Sequence, residues 1–119
     1  MRNVVRIGDR QVEMLGNAAT ALLYKQTFRE DLLRAVSALS GAKEEDLIQA
    51  IEKLQKLAFI MNQQATKEFK DIVNKLTEED FILWLSDFEE NDFQDPQTFT
   101  AILSTWNKNL SGSSESKNA

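Results

Sequence analysis

The sequence predicts a mainly α-helical protein with a small N-terminal β-hairpin (α+β), four to six helices packed in one domain. Three observations predict it. Apolar residues recur at steps of three and four over most of the chain, the period of an amphipathic helix. Alternating apolar and polar residues flank a Gly-Asp pair near the start, the pattern of a hairpin. Only one proline and four glycines punctuate 119 residues, which leaves little room for a loop-rich or all-β build. We place a single domain over 1–110, with the hairpin at 3–15 and the helical part at 17–110. Residues 111–119 read as a disordered polar tail.

In the hairpin, Val4, Val5 and Ile7 precede Gly8-Asp9, and Val12, Met14 and Leu15 follow it. Glycine at the first central position suits a two-residue type II′ turn. That register sets Ile7 opposite Arg10 and Val5 opposite Val12, so Val5, Ile7, Val12 and Met14 share one face. An isolated hairpin is marginal, so a helix must cover this face. Asn17 or Thr20 is placed to cap the next element. Residues 18–39 are helical, with Ala21, Tyr24, Phe28, Leu32, Ala35 and Leu39 as the stripe and Leu22, Leu33 and Val36 widening it. A break near Arg29-Glu30, with Asp31 capping a second short helix, is the alternative to one continuous helix. Ser40-Gly41 ends the segment.

Leu47, Ile51, Leu54, Ala58, Met61, Ala65, Phe69, Ile72 and Leu76 give the strongest periodic signal. One helix of about 50 Å fits residues 43–76. A kink between Gln63 and Thr66 competes with it. The sustained spacing resembles a coiled-coil seam, but Phe59 and Ile60 widen the stripe, as in a central helix packed by neighbours within one domain. Thr77 is an N-cap, followed by Glu78, Glu79 and Asp80 at the positive end of the helix dipole. Phe81, Ile82, Trp84, Leu85 and Phe88 are assigned inward. Residues 89–95 form a loop. Asp95-Pro96 starts the last helix, which carries Phe99, Ile102, Leu103, Trp106 and Leu110.

Composition narrows the function. The chain has no cysteine and no histidine, which removes disulfides, thiolate chemistry, the commonest zinc ligand and the commonest general base. No glycine-rich phosphate loop or Walker lysine motif occurs. An EF-hand loop begun at Asp87 places Asp92 where glycine is needed and Thr98 where a bidentate glutamate is needed, so calcium is not expected. We expect no enzyme, no catalytic residue, no metal and no cofactor. Net charge is -5, made of +2 over residues 1–76 and -7 over 77–119. Neither half has the basic face that nucleic acid or an anionic membrane requires, and neither is expected as a partner. No run nears the roughly 20 apolar residues that span a bilayer, and no apolar stretch follows the N-terminal arginines as in a signal peptide. Eight of the ten aromatics lie from Phe59 onward. Trp84, Phe88, Phe93, Phe99 and Trp106 are the candidate partner-binding residues. Phe93 stands out because it sits in the acidic loop outside helical periodicity, either as an exposed anchor or folded back onto the core.

The order of these pieces resembles the phage tail assembly chaperone family of long-tailed phages infecting Gram-positive bacteria. The resemblance covers most of the chain. It runs through the hairpin, NAATALLYKQTFREDLL at 17–33, KLAFIMNQQA at 56–65, FILWLSDF at 81–88 and ILSTWNKNL at 102–110. Two departures stand out: Arg29 follows Phe28 where the family pattern has glycine, and 66–76 is more helical than the family's short loop. The resemblance implies a protein of the host-cell cytoplasm, absent from the mature virion. It binds the tape measure protein and keeps that long helical chain soluble until tail-tube subunits polymerise around it. It also implies a longer product made by -1 frameshifting that recruits tail-tube protein. Ser116-Lys117-Asn118 can be encoded TCA AAA AAC, which holds the slippery heptamer A AAA AAC. Self-association around the client is a corollary. The alternatives are another phage structural or connector protein, which would be found in virions, and a cellular helical adaptor.

Overall fold

The computed structural model describes residues 2–40 and 47–106. The expected stop at Gly41, the start of the long helix at 43–46, Leu110 and the tail at 111–119 lie outside the described residues. Strands β1 (Arg2–Ile7) and β2 (Arg10–Leu15) form an antiparallel pair. Helices α1 (Thr20–Phe28), α2 (Leu32–Ser40), α3 (Leu47–Thr66), α4 (Phe69–Ile72) and α5 (Glu78–Leu85) follow. A 3₁₀ turn, η1 (Glu90–Phe93), leads to α6 over 96–106. The fold is mainly helical with an N-terminal hairpin, as the sequence predicts.

The hairpin has the expected register, Ile7 opposite Arg10 and Val5 opposite Val12. Gly8 takes φ 63, and Asp9 is not among the positive-φ residues, the type II′ pattern. Val5, Ile7, Val12 and Met14 are all buried, while Val4 on the other face is not. Two helices cover that face. α3 packs on β2. α6 runs along β1, where the Thr98 hydroxyl donates to the Arg6 carbonyl at 2.9 Å and Asn3 Nδ2 donates to Thr105 Oγ1 at 3.0 Å. Seven helical residues and three strand residues both span about 10 Å, so the two bonds fix one antiparallel alignment.

The segment 18–39 is two helices. Arg29 adopts the left-handed conformation at φ 58, and its N–H caps α1 on the Lys25 carbonyl at 2.8 Å. A Cβ is disfavoured there by about 1 kcal/mol or more, which explains why glycine suits this position. Asp31 Oδ1 then accepts from Leu33 N at 2.9 Å and starts α2. Glu30, between the helices, accepts from the Tyr24 hydroxyl and from Lys53 Nζ, both at 2.8 Å, and ties the break to α3. The residue at the N-cap of α1 is Ala19, whose side chain makes no bond, but Asn17 and Thr20 satisfy the chain just before it: Asn17 Oδ1 accepts from Ala19 N at 2.9 Å and Thr20 Oγ1 accepts from Asn17 N at 3.0 Å. The same turn is locked to α3. Gln64 Nε2 donates to Asn17 Oδ1 at 2.9 Å, and Thr20 Oγ1 donates to Gln64 Oε1 at 2.6 Å. Leu22 and Leu33 do not widen the buried stripe; they are exposed.

The long helix is broken rather than continuous to residue 76. Thr66 Oγ1 turns back to the Asn62 carbonyl at 2.8 Å, Glu68 is extended, and a four-residue helix follows in which Ile72 is buried and Phe69 is exposed. α3 is the central element, contacting β2, α1, α2, α4, α5 and η1. Leu54, Leu57, Ala58, Phe59, Ile60 and Met61 are nearly sealed from solvent. A helix apolar on so much of its circumference belongs inside a domain.

Candidate partner-binding surface

α5 begins with the predicted cap in full form. Thr77 Oγ1 accepts from Asp80 N at 3.1 Å, and Asp80 Oδ2 accepts from Thr77 N at 3.0 Å. This capping box, with Glu78 and Glu79 beside it, fixes the start of a two-turn helix that is too short to persist alone. Packing on α3 does the rest. Phe81 meets Phe28 and Phe59 edge-on at 5.2 and 5.7 Å, and Trp84 meets Phe59 at 5.6 Å. The Trp84 indole N–H donates to Asn62 Oδ1 at 3.0 Å, and Asn62 Nδ2 donates to the Glu13 carbonyl at 2.9 Å. One α3 side chain thereby positions both α5 and the hairpin.

The structure brings three of the five candidate residues together. Phe88 lies 4.9 Å from Trp84 and 5.5 Å from Phe93, and Trp84 lies 6.2 Å from Phe93. Only Trp84 and Phe88 of these three reach the surface. Phe93 is 0 % exposed, so it is a core residue and not an anchor. The expected loop is the 3₁₀ turn η1, closed by reciprocal bonds between Glu89 and Asp92, and this turn folds Phe93 inward. Trp106 is likewise core, and Phe99, half-buried on α6, is not in the aromatic cluster.

Phe88 stands between two surface clefts. One, of about 410 Å³, lies between β2 and α5 and is mostly polar, with Arg10, Glu13, Asn62, Trp84 and Asp87 in its walls. The Arg10 guanidinium sits 5.6 Å from the Phe88 ring centroid, a cation–π distance. The other, of about 290 Å³, lies between α3 and α5 and is lined by Gln55, Ile82, Leu85, Ser86, Phe88, Glu89 and Glu90. Its floor is apolar and its rim acidic. No residue from 76 to 106 is Lys or Arg, while 77–106 holds eight acids. The acidic loop keeps two carboxylates on the backbone: Asp92 holds Glu89 N and Asp95 holds Gln97 N, each at 2.9 Å. Among the described residues no group of His, Cys, Asp or Glu is arranged to hold a metal ion, and no helix is long and apolar enough to cross a membrane.

Sequence reading missed the exposed apolar side chains. Ile82, assigned inward, is 62 % exposed, as is Leu83. The signal was present in FILWL at 81–85: five consecutive apolar residues encircle a helix, and a helix packed on one side buries only part of that ring. The perturbed titrations lie elsewhere. Burial, with the Glu30 carboxylate beside it, pushes the Tyr24 phenol far above its usual range. Burial alone would raise the Glu30 carboxyl, but hydrogen bonds from Lys53 and Tyr24 and the charges of Lys53 and Lys56 outweigh it and hold the group below its usual range. These groups join α1 and the α1–α2 break to α3 and line neither of the two clefts beside Phe88. Comparison of the chain with protein-family models, curated proteins and solved structures gives no match.

Proposed function

We propose that this chain is a tail assembly chaperone of a long-tailed phage. It binds the tape measure protein in the host-cell cytoplasm, keeps it soluble until tail-tube subunits assemble, and is left out of the mature virion. A longer frameshifted product recruits tail-tube protein. One observation carries the reading beside the ordered resemblance. α5 leaves Ile82 and Leu83 mostly in solvent next to an apolar groove with an acidic rim, in a chain of net charge -5. A chaperone for a long helical client must cover apolar helical stripes. It must also release them, so each contact is small and weak, and many copies along one client supply avidity. Net negative charge keeps the client-bearing assembly dispersed.

Co-expression with the tape measure protein of the same phage tests this. Rescue of soluble client, co-eluting with several copies of the 119-residue chain on a sizing column, is expected. An insoluble client beside a free chain, with the longer product also present, would count against it. Recovery of the chain in purified virions would favour a structural or connector protein.

A further inference from the structure

We infer that the groove between α3 and α5 is the client-contact face, and that its occupant is an amphipathic helix whose apolar stripe is flanked by lysine or arginine. This deepens the chaperone reading and rests on it for the source of the helix. Ile82, Leu85 and Phe88 form the apolar side of the groove, and Gln55 of α3 forms the facing wall. Ile82 and Leu85 are spaced by three and Leu85 and Phe88 by three, the ladder against which a partner helix sets its own residues at i, i+3, i+4 and i+7. Acids flank this apolar side. Glu89 and Glu90 line the groove, and Glu78 and Glu79 precede Ile82 by one helical turn on α5.

Among the described residues no lysine or arginine forms an ion pair with these four acids. Lys53 and Lys56, the lysines of α3 nearest Gln55 in sequence, are turned to Glu30 at 2.8 and 3.9 Å. Arg10 lies over Phe88 on the other side, in the polar cleft. An acidic rim around an apolar floor favours a cationic amphipathic helix in encounter and in register, and repels an acidic one. The cleft on the β2 side has more polar wall than the groove, carries the cationic Arg10, and has its indole and Asn62 amide already paired.

The test uses two fluorescein-labelled helical peptides of about 18 residues. They carry the same leucine stripe, flanked by lysine in one and glutamate in the other. Each is titrated with the full chain by fluorescence anisotropy. The lysine peptide is expected to bind at least about tenfold tighter than the glutamate peptide at about 50 mM salt, with the gap narrowing at about 500 mM. Ile82→Ser is expected to weaken it about tenfold, and Leu83→Ser, equally exposed but outside the groove, by less than about twofold. The double change Glu89→Lys and Glu90→Lys is expected to reduce or reverse the preference. Both substituted apolar residues are exposed, so folding is retained and circular dichroism checks it. No binding of the lysine peptide, equal binding of both peptides, or unchanged binding by Ile82→Ser overturns the assignment. So does concentration-dependent dimerisation lost in Ile82→Ser without peptide binding, which would make a second copy the occupant. No tape measure protein is used, so the groove can fail while client rescue succeeds, and the reverse.

Discussion

Phe93→Ala separates a core aromatic from a binding anchor. Phe93 is fully buried, 5.5 Å from Phe88 and 6.2 Å from Trp84, on a short 3₁₀ turn between α5 and α6. Truncating a buried Phe to Ala removes its transfer free energy and leaves a cavity, together about 3–5 kcal/mol. The loss of two aromatic contacts falls within that range. η1 is four residues long and can collapse partly into the space, so the lower end applies, about 3 kcal/mol. For a domain of this size that lowers Tm by about 15 °C. Urea unfolding followed by tryptophan emission reads the change, since Trp84 lies beside the cavity and only one other tryptophan is present. The midpoint should fall while the slope with denaturant stays constant. At temperatures where the variant remains folded, its affinity for the lysine peptide should stay within about threefold, because Phe93 does not line the groove. A destabilisation under about 1 kcal/mol with lost peptide binding would refute the burial argument and restore Phe93 as an exposed anchor.

Other substitutions test the frame around the site. Gly8→Ala places a side chain at φ 63 and brings its Cβ to 2.7 Å from the Asp92 carboxylate, so a loss of about 2 kcal/mol or more is expected in thermal unfolding. Arg29→Gly relieves a left-handed non-glycine residue and should stabilise by about 0.5–1 kcal/mol; a lower Tm would show that the Arg29 side chain contributes more than its backbone costs. The Glu30 carboxyl titrates lower in the folded chain than in the unfolded one, so its stabilisation is present above the unfolded pKa and lost as pH falls through the folded one. Tm should therefore drop in the parent chain as pH falls through the ordinary carboxylate range and below it, and Glu30→Gln should be less stable at pH 7 with a shallower acid slope. Parallel slopes in the two proteins would remove Glu30 from the account.

Local chemistry made much of this fold legible. The Gly-Asp turn with flanking alternation fixed the hairpin register, because one face had to be buried and a one-residue slip exposes all of it. Asp31, Thr77 and Asp95 announced helix starts through side-chain acceptors that need no tertiary context. What failed depended on neighbours. Leu22, Leu33 and Ile82 sit at the edge of an apolar stripe, and periodicity does not say how wide the covering element is. Phe93 lies in a 3₁₀ turn, which is too short to have a period. The end of α3 at Thr66 has no glycine or proline to mark it. The candidate site was half legible. Trp84 and Phe88, singled out by their aromatic character, do line surface clefts, whereas Ile82 was read as core because buried residues and exposed apolar ones obey the same spacing.

The proposed function is tested most directly by measuring soluble tape measure protein after co-expression with the parent chain, with Ile82→Ser and with Leu83→Ser, at matched levels of the three proteins. The parent and Leu83→Ser are expected to keep the client soluble and co-elute with it, while Ile82→Ser leaves most of it in the pellet. Equal rescue by all three would contradict the claim that α5 meets its client through the groove beside Ile82. No rescue by any of them, with the longer product supplied, would contradict the chaperone reading itself.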